Sequence, residues 1–200
     1  LDAYNFRATV GRSVPLLVQE VAKNEVLFTI AQHLLANSNV SSAFAQVLLD
    51  YLLPRIHEIS GDKPGKTDEG KSTETKTAED AKATEDEKSD APSNSASILL
   101  RLFKITFGSV TLFAQNEEVL RPHLQAIVWG CLRHCAICDF PGNFFVLLRS
   151  LFRSIAGGKF ESSYQELKSL LPVILTSLMR LYRQGQDETM SHIIIELCLI

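Results

Sequence analysis

The sequence has no excess of positive charge, because 20 Lys and Arg stand against 23 Asp and Glu, which gives a net charge of −3 at pH 7. Nucleic-acid-binding domains usually concentrate Lys and Arg on one face, so this composition predicts no direct contact with nucleic acid. No uninterrupted apolar run approaches the roughly eighteen residues of a membrane-spanning helix, so no membrane segment is predicted either. Strict alternation of apolar and polar residues is also missing, which argues against half-buried β-strands.

The motifs of common enzymes are missing as well. The chain has no Gly-x-Ser-x-Gly elbow for a nucleophilic serine, and it has none of the glycine-rich, His-Arg-Asp or Asp-Phe-Gly motifs of a protein kinase. Its five histidines are scattered, with no recognisable catalytic partner beside any of them. We therefore predict no catalytic residue, no cofactor and no enzymatic activity for this chain.

Large apolar residues are missing from one long segment. Residues 60–97 contain no Val, Ile, Leu, Met or aromatic residue, and their ten acidic residues outnumber their six lysines. Ordering a backbone costs roughly 1–2 kcal/mol per residue, and this segment has almost nothing to bury in return. The sequence therefore predicts a disordered, acidic, low-complexity insertion at 60–97 between two structured blocks, residues 1–59 and 98–200.

The two remaining blocks are helical in pattern. Apolar residues in the second block recur at intervals of three and four, which builds one face of a helix. They are Leu124, Ile127, Val128, Cys131, Cys135 and Cys138. Breaks are predicted at 11–15, 37–41, 141–142, 157–158 and 184–186. The helices between them would pair antiparallel, and roughly 160 structured residues hold about four pairs of HEAT-type length. An ordinary helical bundle fits the same pattern.

Three positions have the residue types that begin helices. Asn24 is placed to cap the helix that follows it, and Asn116 is placed to cap an acidic first turn. Ser163 and Glu166 have the spacing of a capping box. Helices are therefore predicted to begin directly after residues 24, 116 and 163.

The four cysteines fall in apolar helical contexts, which predicts a reducing compartment rather than a disulfide scaffold. Cys131, Cys135 and Cys138 share one helical face with His134, and these residue types can bind zinc. Cys131 and Cys138 would lie about 10.5 Å apart along one helix, whereas two sulfurs on one zinc ion lie only about 3.8 Å apart. We therefore interpret the cluster as core packing, with a zinc-stabilised helical domain as the alternative.

Two arginines mark a candidate contact surface. Arg149 and Arg153 lie one helical turn apart, with Lys159 further along the chain. A charged outer stripe on a helix is the ordinary explanation of such spacing. A docking patch for an acidic partner is the alternative, so these three residues are the candidate partner contacts.

Several strings in the second block are more specific than their helical pattern. They are Leu120–Arg121–Pro122–His123–Leu124, Pro141–Gly142–Asn143–Phe144–Phe145, the run Leu147–Leu148–Arg149–Ser150–Leu151–Phe152–Arg153–Ser154–Ile155, Tyr164–Gln165–Glu166, Leu170–Leu171–Pro172 and Glu196–Leu197–Cys198–Leu199. With the strings at 99–104 and 110–113, they resemble a segment of the TRRAP-type transcription-associated scaffold proteins. These proteins are the pseudokinase branch of the phosphatidylinositol-3-kinase-related kinase family. The resemblance covers residues 98–200 and is compatible with residues 1–59.

The resemblance implies an all-α, HEAT-like α-solenoid segment of antiparallel helix pairs, a fragment of a much larger protein whose kinase-like domain lacks catalytic residues. It also implies a nuclear, non-catalytic scaffold in a coactivator subunit of histone acetyltransferase complexes. The implied partners are the other subunits of such complexes and transcription activators. A HEAT-repeat adaptor from nuclear transport, a phosphatase scaffold or another giant kinase relative is the alternative function.

Overall fold

A computed structural model describes residues 3–60, 95–156, 160–185 and 188–200. These residues form helices joined by short turns, and none of them lies in a β-strand. The elements are α1 (Ala3–Val21), a 3-10 turn (Glu25–Leu27), α2 (Phe28–Leu35), α3 (Ser41–Leu52), a 3-10 segment (Leu53–Ile59), α4 (Ser95–Leu112), α5 (Gln115–Leu120), a 3-10 turn (Arg121–His123), α6 (Leu124–Ile137), α7 (Gly142–Ala156), α8 (Glu161–Arg183) and α9 (Glu188–Leu199). The predicted all-α fold class is confirmed.

Successive helices alternate between two packed rows. One row contains α2, α4, α7 and α9, each packed against the next. The other contains α1, α3, α6 and α8. The 3-10 segment after α3 contacts both α3 and α6, and the short helix α5 packs on α3 and on the 3-10 turn before α6. One hydrophobic core runs between the rows from the first helix pair to the last. The described residues therefore form a stack of four helix pairs, as predicted for a HEAT-like solenoid segment.

Helix α1 continues through the predicted break at 11–15, so that prediction is wrong. Pro15 lies inside the helix, although proline removes one backbone hydrogen bond and crowds the carbonyl four residues earlier. Val14 and Val18 beside it are buried, and the helix packs along α3. Helix α8 likewise continues through Pro172. Burial of an apolar face therefore outweighs the local cost of proline in both helices.

Helix α4 begins at Ser95, so the second structured block begins three residues earlier than predicted. The prediction placed the boundary by looking for large apolar residues. Ala96 is small, yet it is buried in the first turn of α4 and extends the packed face of the helix. Residues 61–94 of the predicted insertion lie outside the described residues, and their disorder stays a prediction.

Helix α4 also corrects the expectation about membrane segments. Its 18 residues have a mean hydropathy of 1.3, so by length and composition the helix could cross a membrane. The helix contains no uninterrupted apolar run of that length, because Arg101 and Lys104 interrupt it. In the fold, 56% of this helix is buried, and it packs between α3 and α7. It serves here as the central core helix of the stack.

Candidate functional site: thiol cluster, charged row and apolar end face

The cysteine cluster lies on α6, and its side chains enter the core. Cys131 and Cys135 are buried, and Cys138 is half-buried at the end of the helix. Burial raises the pKa of Cys131 well above its ordinary value, and Cys135 contributes to the same effect. Burial also raises the pKa of Cys135, with a smaller contribution from Cys138. The raised pKa values of Cys131 and Cys135 favour the protonated thiol at neutral pH.

His134 packs against rings from two neighbouring elements. Its ring stacks on Phe144 of α7 with the ring centroids 5.2 Å apart, and its centroid lies 6.4 Å from that of His57. Burial lowers the pKa of His134, and the nearby His57 and Arg133 lower it further. Within the described ranges, no three His, Cys, Asp or Glu side chains are grouped so that they could hold a metal ion. The geometry of the cluster therefore favours core packing over the zinc alternative.

We expect the thiols to differ in their reactivity toward iodoacetamide. Cys131 and Cys135 should stay unmodified in the folded chain, because their sulfurs are covered and their thiolate forms are suppressed. Cys138 should react first among the three, since it is only half-buried. Timed alkylation followed by peptide mass spectrometry measures the order, and full modification in urea is the control. Equal rates for Cys131 and Cys138 in the folded chain would contradict the assigned core positions.

A line of charged side chains crosses the helices α2, α4, α7 and α9. We call this line of side chains the charged row. Its members are Glu25, Arg101, Lys104, Arg149, Arg153 and Glu196. At one end, Arg101 Nη1 lies 2.6 Å from Glu25 Oε1, and the Arg101 guanidinium lies 4.3 Å from the centre of the Phe28 ring. This contact ties the turn before α2 to α4.

At the other end of the charged row, Glu196 of α9 binds both arginines that were predicted as partner contacts. Arg149 Nη1 donates to Glu196 Oε2 at 3.0 Å, and Arg153 donates to Glu196 Oε1. Lys159, the third predicted contact, lies outside the described residues. The role of these three residues as partner contacts stays a prediction, but the charges of the two arginines are shared with a carboxylate of the chain itself.

We expect the Glu196 ion pairs to make stability depend on pH. The hydrogen bond from Arg149 is the largest influence on the pKa of Glu196 and lowers it, partial burial opposes this, and the charges of Arg149 and Arg153 add to the lowering. A carboxylate with a lowered folded pKa stabilises the fold above its ordinary pKa, and that contribution is lost as the pH falls through the folded pKa.

The Glu196→Gln variant should therefore unfold at a lower urea concentration than the wild type at neutral pH. The difference should shrink progressively below pH 4.5, the ordinary pKa of the carboxylate. Urea unfolding across this range measures the effect, with Glu118→Gln on the exposed surface of α5 as the control. A difference that stays constant across the whole pH range would show that the ion pairs do not cause it.

Two of the three predicted caps are wrong. Asn24 accepts a hydrogen bond from a backbone N–H of the following turn, so its capping role is confirmed. Helix α5 already begins before Asn116, and the Asn116 side chain is buried. Ser163 lies within the first turn of α8, where its N–H and hydroxyl donate to Glu117 Oε1 of α5. These side chains connect helices that are distant in sequence, whereas the predictions considered only their local neighbours.

Asn116 forms a buried hydrogen-bond network that the local sequence did not predict. Its Nδ2 donates to Ser41 Oγ at 2.8 Å and to the carbonyl and hydroxyl oxygens of Ser109, both at 3.1 Å. Ser41 Oγ in turn donates to the carbonyl oxygen of Leu35 at 2.6 Å. The network therefore joins the end of α2, the start of α3, the end of α4 and α5. It links the first two helix pairs of the stack to the short helix α5.

Helix α8 carries two apolar stripes. The first is buried in the core and consists of Leu167, Ile174, Leu178 and Leu181. The second is 40–48% exposed and consists of Tyr164, Leu171, Leu175, Met179 and Tyr182. At 3.6 residues per turn the two stripes lie about a quarter turn apart. We call the second stripe the apolar end face, and a groove of about 370 Å³ between α7, α8 and α9 adjoins it.

The comparisons with known proteins agree with this architecture. A family model described as the Tra1 HEAT repeat central region matches residues 1–200. The chain is 36% identical over 200 residues to Transcription-associated protein 1 of Drosophila melanogaster. It is 34% identical to the Transformation/transcription domain-associated protein of Homo sapiens. It is 28% identical to the SAGA complex/NuA4 acetyltransferase complex subunit TRA1 of Saccharomyces cerevisiae.

Each of these alignments covers the whole chain, including the block that sequence analysis judged only compatible. The chain spans 4–5% of the length of these curated relatives. The resemblance drawn from the sequence strings is confirmed, and it extends over the first block as well. The chain belongs to the family defined by the Tra1 HEAT repeat central region.

Proposed function

We propose that this chain is a non-catalytic scaffold segment of a nuclear transcription coactivator subunit. Its helical-repeat surface would serve the assembly of histone acetyltransferase complexes and the recruitment of transcription activators. The observation that carries this proposal is the family match over residues 1–200, together with a yeast relative named as a subunit of the SAGA and NuA4 acetyltransferase complexes. These names favour a role in transcription over an adaptor role in nuclear transport or phosphatase scaffolding.

The architecture supports a scaffold role on physical grounds. A stack of helix pairs offers a long surface on which several partners can be held in fixed positions. The Asn116 network joins the first two pairs to the short helix α5, and the Glu196 ion pairs join α7 of the third pair to α9 of the fourth. These contacts cross the boundaries between pairs, so they hold the stack in one shape.

The apolar end face supports a continuing solenoid. Its five side chains extend about 27 Å along α8, which is long enough to bury a face of a further helix. We propose that its occupant is an adjoining helix pair of the longer protein, because the chain spans only 4–5% of its relatives. Charged residues placed on this face should therefore disturb the scaffold.

The test uses the tagged full-length protein that contains this chain, purified from nuclear extract together with its associated histone acetyltransferase activity. The double variant Leu175→Glu with Met179→Glu places two charges on the apolar end face. We expect the activity recovered per amount of purified protein to fall by about fivefold, since buried unpaired charges strongly destabilise packing. The control is Ser162→Glu with Ser169→Glu, which adds the same charge on another side of α8 and should leave the recovery unchanged.

Two results would contradict the proposal. The first is a wild-type protein that purifies without any acetyltransferase activity. The second is a double variant on the apolar end face that recovers as much activity as the Ser162/Ser169 control. Loss of activity in the end-face variant alone would support both the scaffold role and the adjoining helix pair.

A further inference from the structure

Lys104 lies in the middle of the charged row between two arginines. Arg101 is three residues earlier on the same helix, and Arg149 projects from the adjacent helix α7. The carboxylates that bind these arginines, Glu25 and Glu196, lie in the elements on the outer sides of α4 and α7. Among the described residues, no carboxylate lies within 4.0 Å of the Lys104 ammonium. Glu25 therefore balances Arg101 at one end, Glu196 balances only one of the two arginines at the other end, and Lys104 between them has no carboxylate partner among the described residues.

The geometry points to a binding surface for an acidic segment of a protein partner, centred on Lys104 and flanked by Arg101 and Arg149. This inference does not rest on the proposed scaffold function, because it concerns only the charges of this chain. It moves the centre of the candidate contact from Arg149 and Arg153, which share Glu196, to Lys104, which was not among the predicted partner contacts.

The electrostatics of Lys104 agree with an uncompensated charge. Burial is the largest influence that lowers the pKa of Lys104, and the positive charges of Arg149 and Arg101 lower it further. A carboxylate of the partner would raise the pKa of Lys104 and so oppose the effect of the two arginines, because an opposite charge nearby favours the protonated amine. Four cations against two carboxylates also leave the charged row at a net charge of +2, which attracts an acidic segment over a longer range.

A carboxylate suits this surface better than a nucleic-acid backbone does. Both arginines beside Lys104 already bind a carboxylate of this chain, so carboxylates fit between the side chains of the charged row. A duplex carries a negative charge about every 1.7 Å and needs a long basic track. The charged row instead places acidic residues at both ends, and the whole chain has a net charge of −3. Two or three carboxylates of a peptide match the short positive centre.

The test measures fluorescence anisotropy of a labelled peptide of about ten glutamates titrated with the chain. We expect Lys104→Glu to weaken binding by about tenfold, because it replaces an attractive contact with a repulsive one. The matched control is Lys168→Glu, which makes the same charge change on the exposed surface of α8 and should leave the affinity unchanged. Lys104→Arg should retain binding, and its urea unfolding should match that of the wild type.

A second readout distinguishes binding from a general effect on folding. In nuclear magnetic resonance titrations, the pKa of the Lys104 amine should rise when the glutamate peptide binds. Equal weakening by Lys104→Glu and Lys168→Glu would overturn the proposal, because it would show that only net charge matters. Absence of wild-type binding, or tighter Lys104-dependent binding of duplex DNA, would also overturn it. None of these outcomes affects the acetyltransferase test, so the two proposals can fail separately.

Discussion

Replacing Phe103 with alanine is expected to lower the free energy of unfolding of the chain by about 3–5 kcal/mol. Phe103 lies on α4, the central core helix, and its side chain is 0% exposed. Its ring centroid lies 5.8 Å from that of Phe107, which is also fully buried. The substitution removes the ring and leaves a cavity that two rows of packed helices close only partly.

The matched control for Phe103→Ala is Leu112→Ala at the C-terminal end of the same helix. Leu112 is 59% exposed, so its truncation should change the free energy of unfolding by less than about 0.5 kcal/mol. Urea unfolding followed by circular dichroism measures both variants. If the two variants lose the same stability, α4 is not the buried centre of the stack, and the arrangement of the rows is wrong.

Replacing Asn116 with aspartate is expected to be nearly as disruptive, although the two side chains have the same shape. The aspartate has no N–H to donate to Ser41 and Ser109, so the bonds that join α5 to α3 and α4 are lost. It also places a carboxylate in a site that is 1% exposed. An unpaired buried charge costs several kcal/mol, so we expect a loss of about 3 kcal/mol or more at neutral pH.

The loss caused by Asn116→Asp should itself depend on pH. Burial would raise the pKa of the new carboxyl in the folded chain, so its protonated form is the one that the fold accommodates. A group with a raised folded pKa destabilises increasingly as the pH rises above its unfolded pKa, and the variant should therefore recover stability in acid. The control is Asn37→Asp, because the exposed Asn37 side chain only accepts a hydrogen bond, from the backbone of Asn39, and a carboxylate can do the same. Equal losses in the two variants would contradict the network.

Much of the fold could be predicted from the sequence because the periodic spacing of apolar residues indicates which helix faces are buried. Apolar residues at intervals of three and four on α6 placed Cys131 and Cys135 on the buried face, where the structure has them. The count of about four helix pairs followed from dividing the roughly 160 structured residues by the length of a HEAT-type repeat. The predictions that were wrong took single residues as the ends or starts of helices. Pro15 was taken as a break, but the burial of Val14 and Val18 outweighs its local cost.

The features that connect helix pairs could not be predicted in the same way, because their partners are distant in sequence. Asn116 and Ser41 are 75 residues apart, and Arg149 and Glu196 are 47 residues apart. Nothing in the neighbourhood of either residue identifies its partner. The apolar end face is different, since the spacing of its residues by seven, four, four and three is visible in the sequence. That pattern could have identified a second stripe on α8.

The most direct test of the stacked arrangement is hydrogen–deuterium exchange of the backbone amides of the chain. In a stack of repeats each pair is stabilised by its neighbours, so the inner helices α4 and α7 should exchange slowest. Helices α8 and α9 form the end pair and should exchange faster, because the apolar end face lacks a covering helix among the described residues. Slow exchange of α8 to the same extent as α4 would show a closed bundle and contradict the solenoid account.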